Sequence, residues 1–228
     1  MILAAHQPQY LPWLGYFEKI YRSDIFVFLD NVQYKKNEWQ NRNRIKTDTG
    51  PAWLTVPVHY RFPQKIMEVT IDENSHWQKK HIASLELNYS NTSFFKKYFA
   101  SIQKIIKSRW GYLSALNIAL IEELMSCLGI FKRTMIASKI GEFPEDPDER
   151  LISLCRMYEA DTYLAGEGGK NYMDLNKYSD AGIKVIFQEY RHPVYKQKFD
   201  DFLSHLSAVD LLFNCGSESL SILTGGNK

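Results

Sequence analysis

Residues 1–29 read MILAAHQPQYLPWLGYFEKIYRSDIFVFL, and the order of patterns in them decides the fold. Residues 1–5 form a short apolar run. Residues 11–21 carry apolar or aromatic side chains at 11, 13, 14, 16, 17, 20 and 21, the spacing of one helical face, and Pro12 stands where a first turn tolerates it. Residues 24–29, DIFVFL, are β-rich and almost continuously apolar. A strand without polar alternation is covered on both faces, as in a parallel sheet. Strand, loop, helix, strand is a βαβ unit, whose crossover is right-handed.

The same grammar returns after residue 130. Residues 131–138 read as a strand, and 147–158 as an amphipathic helix with Asp148 at its start and Leu151, Ile152, Leu154, Cys155 and Tyr158 on one face. Then come the strand DTYLA (161–165), the loop GEGGKNY (166–172), a short helix over 173–181 closed by Gly182, and the buried strand KVIFQ (184–188). Strands alternating with helices predict a Rossmann-like, three-layer α/β fold with a parallel sheet.

Residues 49–130 break the alternation. WLTVPV (53–58) and IMEVTI (66–71) read as two strands of a hairpin, followed by helices over 77–89, 92–107 and 113–128. We expect one domain over 1–228, with an α/β core in 1–48 and 131–228 and this hairpin and helical segment inserted. The tail, 199–206, 207–216 and 218–223, reads as helical with a break at Gly216.

In open α/β sheets, ligands bind outside the carboxyl ends of the strands. Three unusual loops reach that rim. HQPQYLPW (6–13) follows the first strand; it reads as a pocket floor braced by Pro8 and Pro12, with His6, Gln7, Tyr10 and Trp13 toward a ligand. DNVQYKKNEWQNRNR (30–44) follows the second strand. There Asn31, Gln33 and Asn41 have amides that read a sugar or base edge, while Lys36, Arg42 and Arg44 hold phosphate or carboxylate. In GEGGKNY, Gly166, Gly168 and Gly169 expose backbone N–H groups to an anion, Lys170 neutralises it, and Tyr172 follows. His192 and Tyr195, after the last strand, close the site.

Composition limits the partners. Twenty-eight basic and 26 acidic residues leave a net charge of +2, too little for a long-range pull on nucleic acid or anionic lipid. Apolar residues make up 45% of the 228, enough for a real core. Cys127, Cys155 and Cys215 are far apart and odd in number, which reads as buried thiols in a reducing compartment. The start lacks a signal-peptide pattern and no apolar run reaches membrane-spanning length, so a cytoplasmic protein is expected. No HExxH, CxxC or GxSxG motif occurs, and the six histidines are scattered, so no metal site is expected. Oligomeric state is left open.

HQPQYLPWLGYFEKI, SDIFVFLDNVQYKKNEWQNRNRI, WLTVPV, YLAGEGGKNY and AVDLLFNCG together resemble the WbqC-like family of bacterial proteins, over residues 1 to about 223. The resemblance implies a role in surface polysaccharide (O-antigen) biosynthesis and transfer of a glycyl-type aminoacyl group to an amino sugar or sugar nucleotide. A remoter likeness is to pantothenate synthetase and other nucleotidylyltransferase-type enzymes, whose first loop carries HxGH. Here His6 is followed by QPQYLPWLG with no second histidine. For such an enzyme we expect His6 as general base or phosphate ligand, Asp30 orienting an amine or a metal-bound water, and Lys170 binding an anion. Both direct acyl transfer and adenylation of the acid fit; adenylation calls for a nucleotide with Mg2+. The rival is a non-catalytic protein that binds a sugar nucleotide within a polysaccharide assembly complex.

Overall fold

The computed structural model describes residues 1–225. In chain order its regular elements are β1 (Ile2–His6), α1 (Leu14–Arg22), β2 (Ile25–Phe28), β3 (Arg42–Thr47), β4 (Gly50–Thr55), β5 (Val58–His59) and β6 (Thr70–Ile71). They continue with α2 (Trp77–Tyr89), α3 (Phe95–Lys107), α4 (Leu113–Leu128), β7 (Arg133–Ile136), α5 (Ala137–Ile140) and α6 (Pro147–Met157). The last are β8 (Thr162–Ala165), α7 (Leu175–Asp180), β9 (Lys184–Phe187), α8 (Ala208–Cys215) and α9 (Ser219–Leu223).

Five strands form one sheet in the order β7-β2-β1-β8-β9, every pair parallel. The fold is therefore Rossmann-like, with β1 at the centre. Strand pleating sends alternate side chains to opposite faces. Ala4, Phe26, Phe28 and Leu164 join Leu14, Phe17 and Ile20 of α1 and Leu211 and Leu212 of α8 in the larger core. Leu3, Ala5, Ile25, Val27, Tyr163 and Ala165 pack on Ile152, Leu154 and Cys155 of α6 and Tyr178 of α7. Losing one such buried aromatic, Phe17→Ala for example, costs about 3–5 kcal/mol.

Helix starts follow their capping chemistry. Asp146 accepts from the Glu149 N–H at 3.0 Å, with Pro147 in the first turn of α6. Asp148 is held inside, accepting from the Asp174 N–H and the Tyr178 hydroxyl at 3.0 Å each. It thereby locks α6 to α7.

The stretch between β2 and β7 departs from the sequence reading. The main hairpin pairs Arg42–Thr47 with Gly50–Thr55, so Arg42 and Arg44 lie on a strand and not in a loop. Of the expected pairing of 53–58 with 66–71, Val58↔Ile71 alone forms, with His59↔Thr70 beside it. Residues Ile66–Glu68 wind into a 3-10 turn instead, closed by the Lys65 N–H donating to Glu68 Oε2 at 2.9 Å. Residues 199–206 are irregular, not helical: Phe199, Asp201 and His205 have φ of 65°, 54° and 59°. The Lys46 ammonium takes the carbonyls of Phe199 (3.2 Å) and Asp201 (2.6 Å), groups that a helix would have used itself.

Candidate functional site

Where a parallel sheet grows outward in both directions, the connections on either side of the first strand leave in opposite senses and a crevice opens between them. Here that switch lies between β1 and β8. A cleft opens at their carboxyl ends, in two adjoining lobes. The larger, about 530 Å3, runs from His6 and Gln7 across Leu29, Val32 and Gln33 to the Gly166–Gly169 loop and the face of α6 at Arg150. The smaller, about 270 Å3, is walled by Trp13, Tyr16, Tyr190, Gln188 and Glu167. His6, Lys19, Gly166 and Gly168 border both.

His6 is the last residue of β1. Its Nδ1 lies 3.1 Å from the Gln7 carbonyl oxygen. A carbonyl only accepts, so Nδ1 carries the proton and Nε2 the lone pair. The ring stands edge-on to Tyr16, centroids 5.0 Å apart. Burial, with the Lys19 charge adding to it, pushes the imidazole down to about 4. Lys19 is 3% exposed and its ammonium donates to the Ala5 carbonyl at 2.9 Å. That single bond does not replace its lost water, and burial pushes its pKa down to about 8. A neutral imidazole thus sits beside a lysine near the edge of its charged range.

The loop after β1 has two uses. Gln7 and Trp13 reach the cleft; the residues between them knit the interior. The Tyr10 hydroxyl lies 2.8 Å from His81 Nδ1 in the core. Asn43 donates to the Leu11 carbonyl at 2.7 Å, and Asn117 to the carbonyls of Pro8 (3.2 Å) and Gln40 (2.7 Å). Gln40 donates to Gln7 Oε1 at 2.6 Å and accepts from the Lys35 N–H at 2.9 Å. The polar side chains satisfy a buried loop backbone that no ladder serves.

The second loop divides similarly. Gln33 lines the larger lobe and so does Lys35. Asp30, 3% exposed, gives both carboxylate oxygens to Ser138, from N–H at 2.9 Å and Oγ at 2.6 Å, fastening the end of β2 to α5. The Asn31 amide oxygen is buried without a partner, and Lys36 is exposed. Asn41 donates to the Val56 carbonyl at 2.9 Å. Arg42 donates to the Asn37 carbonyl and lies 4.4 Å over the Trp53 ring; Arg44 sits 5.8 and 5.7 Å from the rings of Trp39 and Trp53. Asp30, Asn31, Lys36, Asn41, Arg42 and Arg44 border neither lobe.

On the third loop Gly166, Gly168, Gly169 and Tyr172 line the cleft. Lys170 turns away to Glu189 at 3.6 Å. A side chain at Gly169 would meet Met173 Sδ at 2.7 Å, a contact to which the flexible methionine would have to yield; at Gly166 and Gly168 it would meet nothing. In the tail, His192 donates from Nδ1 to the Pro193 carbonyl at 2.9 Å and leaves Nε2 buried and unpartnered; burial lowers its pKa. The Tyr195 hydroxyl bonds Asp210 at 2.8 Å. Both belong to an aromatic cluster behind Trp13, whose ring stacks on His205 at 5.2 Å.

Lys19, Arg150, Gln188 and Tyr190 border the cleft without having been singled out in the sequence, and Lys35 lies on the rim loop DNVQYKKNEWQNRNR that was. Lys19 had a signal: three residues past Tyr16 and one before Ile20, it lies on the stripe that packs inward. Arg150 had none, since an arginine on an amphipathic helix is ordinarily solvated.

Among the described residues no group of three or more His, Cys, Asp or Glu side chains could hold a metal. Among the described residues no carboxylate lines the larger lobe, so a magnesium ion there would find no charged protein ligand. No described helix is long and apolar enough to cross a membrane.

No solved structure matches the chain. An uncharacterized protein of Mycobacterium tuberculosis, Rv1507c, is 38% identical over 221 residues, covering 95% of each chain. The model of the WbqC-like protein family matches residues 7–222. That span opens one residue past His6 and runs through both lobes into α9, so cleft and tail come under one description: the chain belongs to the WbqC-like protein family.

Proposed function

We propose that the cleft is the active site of an acyltransferase that places an aminoacyl group on the amine of an amino sugar or sugar nucleotide, with His6 as general base. The observation that carries this is the state of His6. Its tautomer is set by the Gln7 carbonyl, burial keeps it neutral at physiological pH, and among the described residues Nε2 has no hydrogen-bond partner. In the proposed step, the amine nitrogen attacks the carbonyl carbon of an activated acid and a C–N bond forms. Nε2 takes the proton that the nitrogen sheds. The intermediate collapses, the bond to the leaving group breaks, and His6 returns the proton to that group. Lys19, bordering both lobes, supplies positive charge where the oxyanion develops, a contribution of about 3–4 kcal/mol for a well-placed donor. No thiol competes as nucleophile, because burial pushes Cys127 and Cys155 up to about 12 and Cys215 to about 11.

The switch-point position supports activation of the acid as an adenylate. The family resemblance supplies the amino-sugar acceptor and the surface-polysaccharide setting. The test incubates purified protein with glycine, ATP, Mg2+ and glucosamine, then with each omitted in turn, and measures AMP and pyrophosphate. Release that needs all components supports the proposal. Nucleotide or sugar binding with no turnover across a panel of amino acids and carrier thioesters overturns it in favour of a binding protein.

A further inference from the structure

The two lobes differ in charge and surface, and the difference sorts ligands. The larger is bordered by Lys19, Lys35 and Arg150 and by no carboxylate. Arg150 is held by neutral groups: Nε donates to the Pro144 carbonyl at 3.1 Å and Nη2 to the Glu145 carbonyl at 3.0 Å. Glu145 and Asp146 are near enough for their charges to be felt, but the Arg150 guanidinium is in no ion pair with them. Its charge is aimed by the backbone and, among the described residues, is in no ion pair. The floor beside it, at Gly166 and Gly168, has open space where side chains would stand, so a ligand can lie against the main chain.

The smaller lobe is aromatic. Trp13 lies pressed on α1 at Gly15, where a Cβ would come within 2.2 Å of its ring, and Tyr190 meets it edge-on with centroids 5.6 Å apart. The Tyr190 hydroxyl is buried and has no partner, an arrangement that costs about 1–3 kcal/mol unless something fills it. Glu167 is the lobe's carboxylate, exposed and in no ion pair among the described residues.

We infer that the larger lobe takes the phosphate-bearing donor and the smaller takes the ring of the amine-bearing acceptor, with Tyr190 bonding a ring hydroxyl, Glu167 accepting the proton that the acceptor's ammonium form loses and then a hydrogen bond from the free amine, and the two substrates meeting at His6. This rests on the transferase reading above and adds which wall selects which substrate. The residues that separate the two are Arg150 and Glu167.

Isothermal titration of AMP and of glucosamine, as probes, tests the division. In the unaltered protein both bind, and saturating AMP leaves glucosamine affinity unchanged. Arg150→Met weakens AMP at least about tenfold, the loss of a charge-assisted contact, and spares glucosamine. Glu167→Gln does the reverse. If Arg150→Met does not fold, Lys35→Met, on an exposed loop of the same lobe, carries the same expectation. Mutual displacement of the probes, equal weakening of both by either variant, or no binding of either overturns the inference. Separate binding of the two probes without turnover supports the division and removes the transferase reading.

Discussion

Two of the described lysines are buried, and they live differently. Lys46 is 2% exposed and Lys19 3%. The Lys46 ammonium has two carbonyls, of Phe199 and Asp201, and Asp210 close enough to feel its charge. Around it Asp210 accepts from Tyr89 and Tyr195 at 2.8 Å each, and the Tyr89 hydroxyl accepts from the Lys46 N–H at 2.9 Å. Lys19 has one carbonyl and a neutral histidine. The first region is a closed polar network, which makes tail and hairpin one body. The second is left short of partners at the mouth of a cleft. A buried charge that is satisfied belongs to the fold; one that is underserved where a ligand can enter is the mark of a site.

The largest expected effect is His6→Ala. It should lower turnover by about 10²–10⁴, the usual loss for a general base, while the melting temperature hardly moves. A large thermal loss with unchanged specific activity of the folded fraction would assign His6 to the fold instead. The opposite pattern is expected for Asp210→Ala, which strands two tyrosine hydroxyls and Lys46. It should cost about 3–5 kcal/mol, read by urea titration, with ligand affinity of the folded protein unchanged.

Acid should separate the regions next. His6 and His81 are both held near 4, chiefly by burial, below the ordinary 6.5. The folded protein keeps them neutral while the unfolded chain takes up their protons. Stability is therefore full above pH 6.5 and falls as the pH drops toward 4, by up to about 3 kcal/mol for each histidine. Asp210, whose carboxyl is raised by burial, works in the opposite sense. Urea titrations at pH 7 and 4.5 measure the slope, to which His192, also lowered by burial, contributes, and His81→Leu should reduce it. The smallest effect is the most diagnostic. Lys19 carries a folded pKa of about 8 against 10.5 unfolded, so at pH 7 its burial is a full penalty, relieved only as pH rises from 8 to 10.5. Lys19→Met should raise stability by about 1 kcal/mol, read as a few degrees in melting temperature, and weaken AMP binding. The same change at Lys46 should destabilise.

The sheet was legible because its strands are apolar on both sides and its helices keep one stripe. What escaped was polar structure. RNRIKT looks like loop, yet it is strand β3, with Asn43 turned inward to the Leu11 carbonyl. Residues 199–206 have apolar spacing at 199, 202, 203 and 206 that mimics a helix, and a lysine more than 150 positions away overrides it. The rim loops could be placed because strand order alone brings them to one edge. Which of their side chains face the cleft could not, because the loop backbones needed partners of their own. Asp30 and Asn41 meet such needs, a demand that appears only once the segments are packed.

The central position of β1 also has a consequence during synthesis. Its amino end pairs with β8 and its terminal ammonium bonds Asp161 at 2.8 Å, across 160 residues of chain. At ordinary translation rates of about 5–20 residues per second, roughly 8–30 s pass between the emergence of the two strands. Throughout that interval the middle strand of the finished sheet is a bare edge, with Leu3 and Ala5 uncovered by α6, and open edges invite foreign strands. The seam that carries the cleft stays open until most of the chain has been made, so the nascent chain is unprotected at the place where the mature protein is most specific.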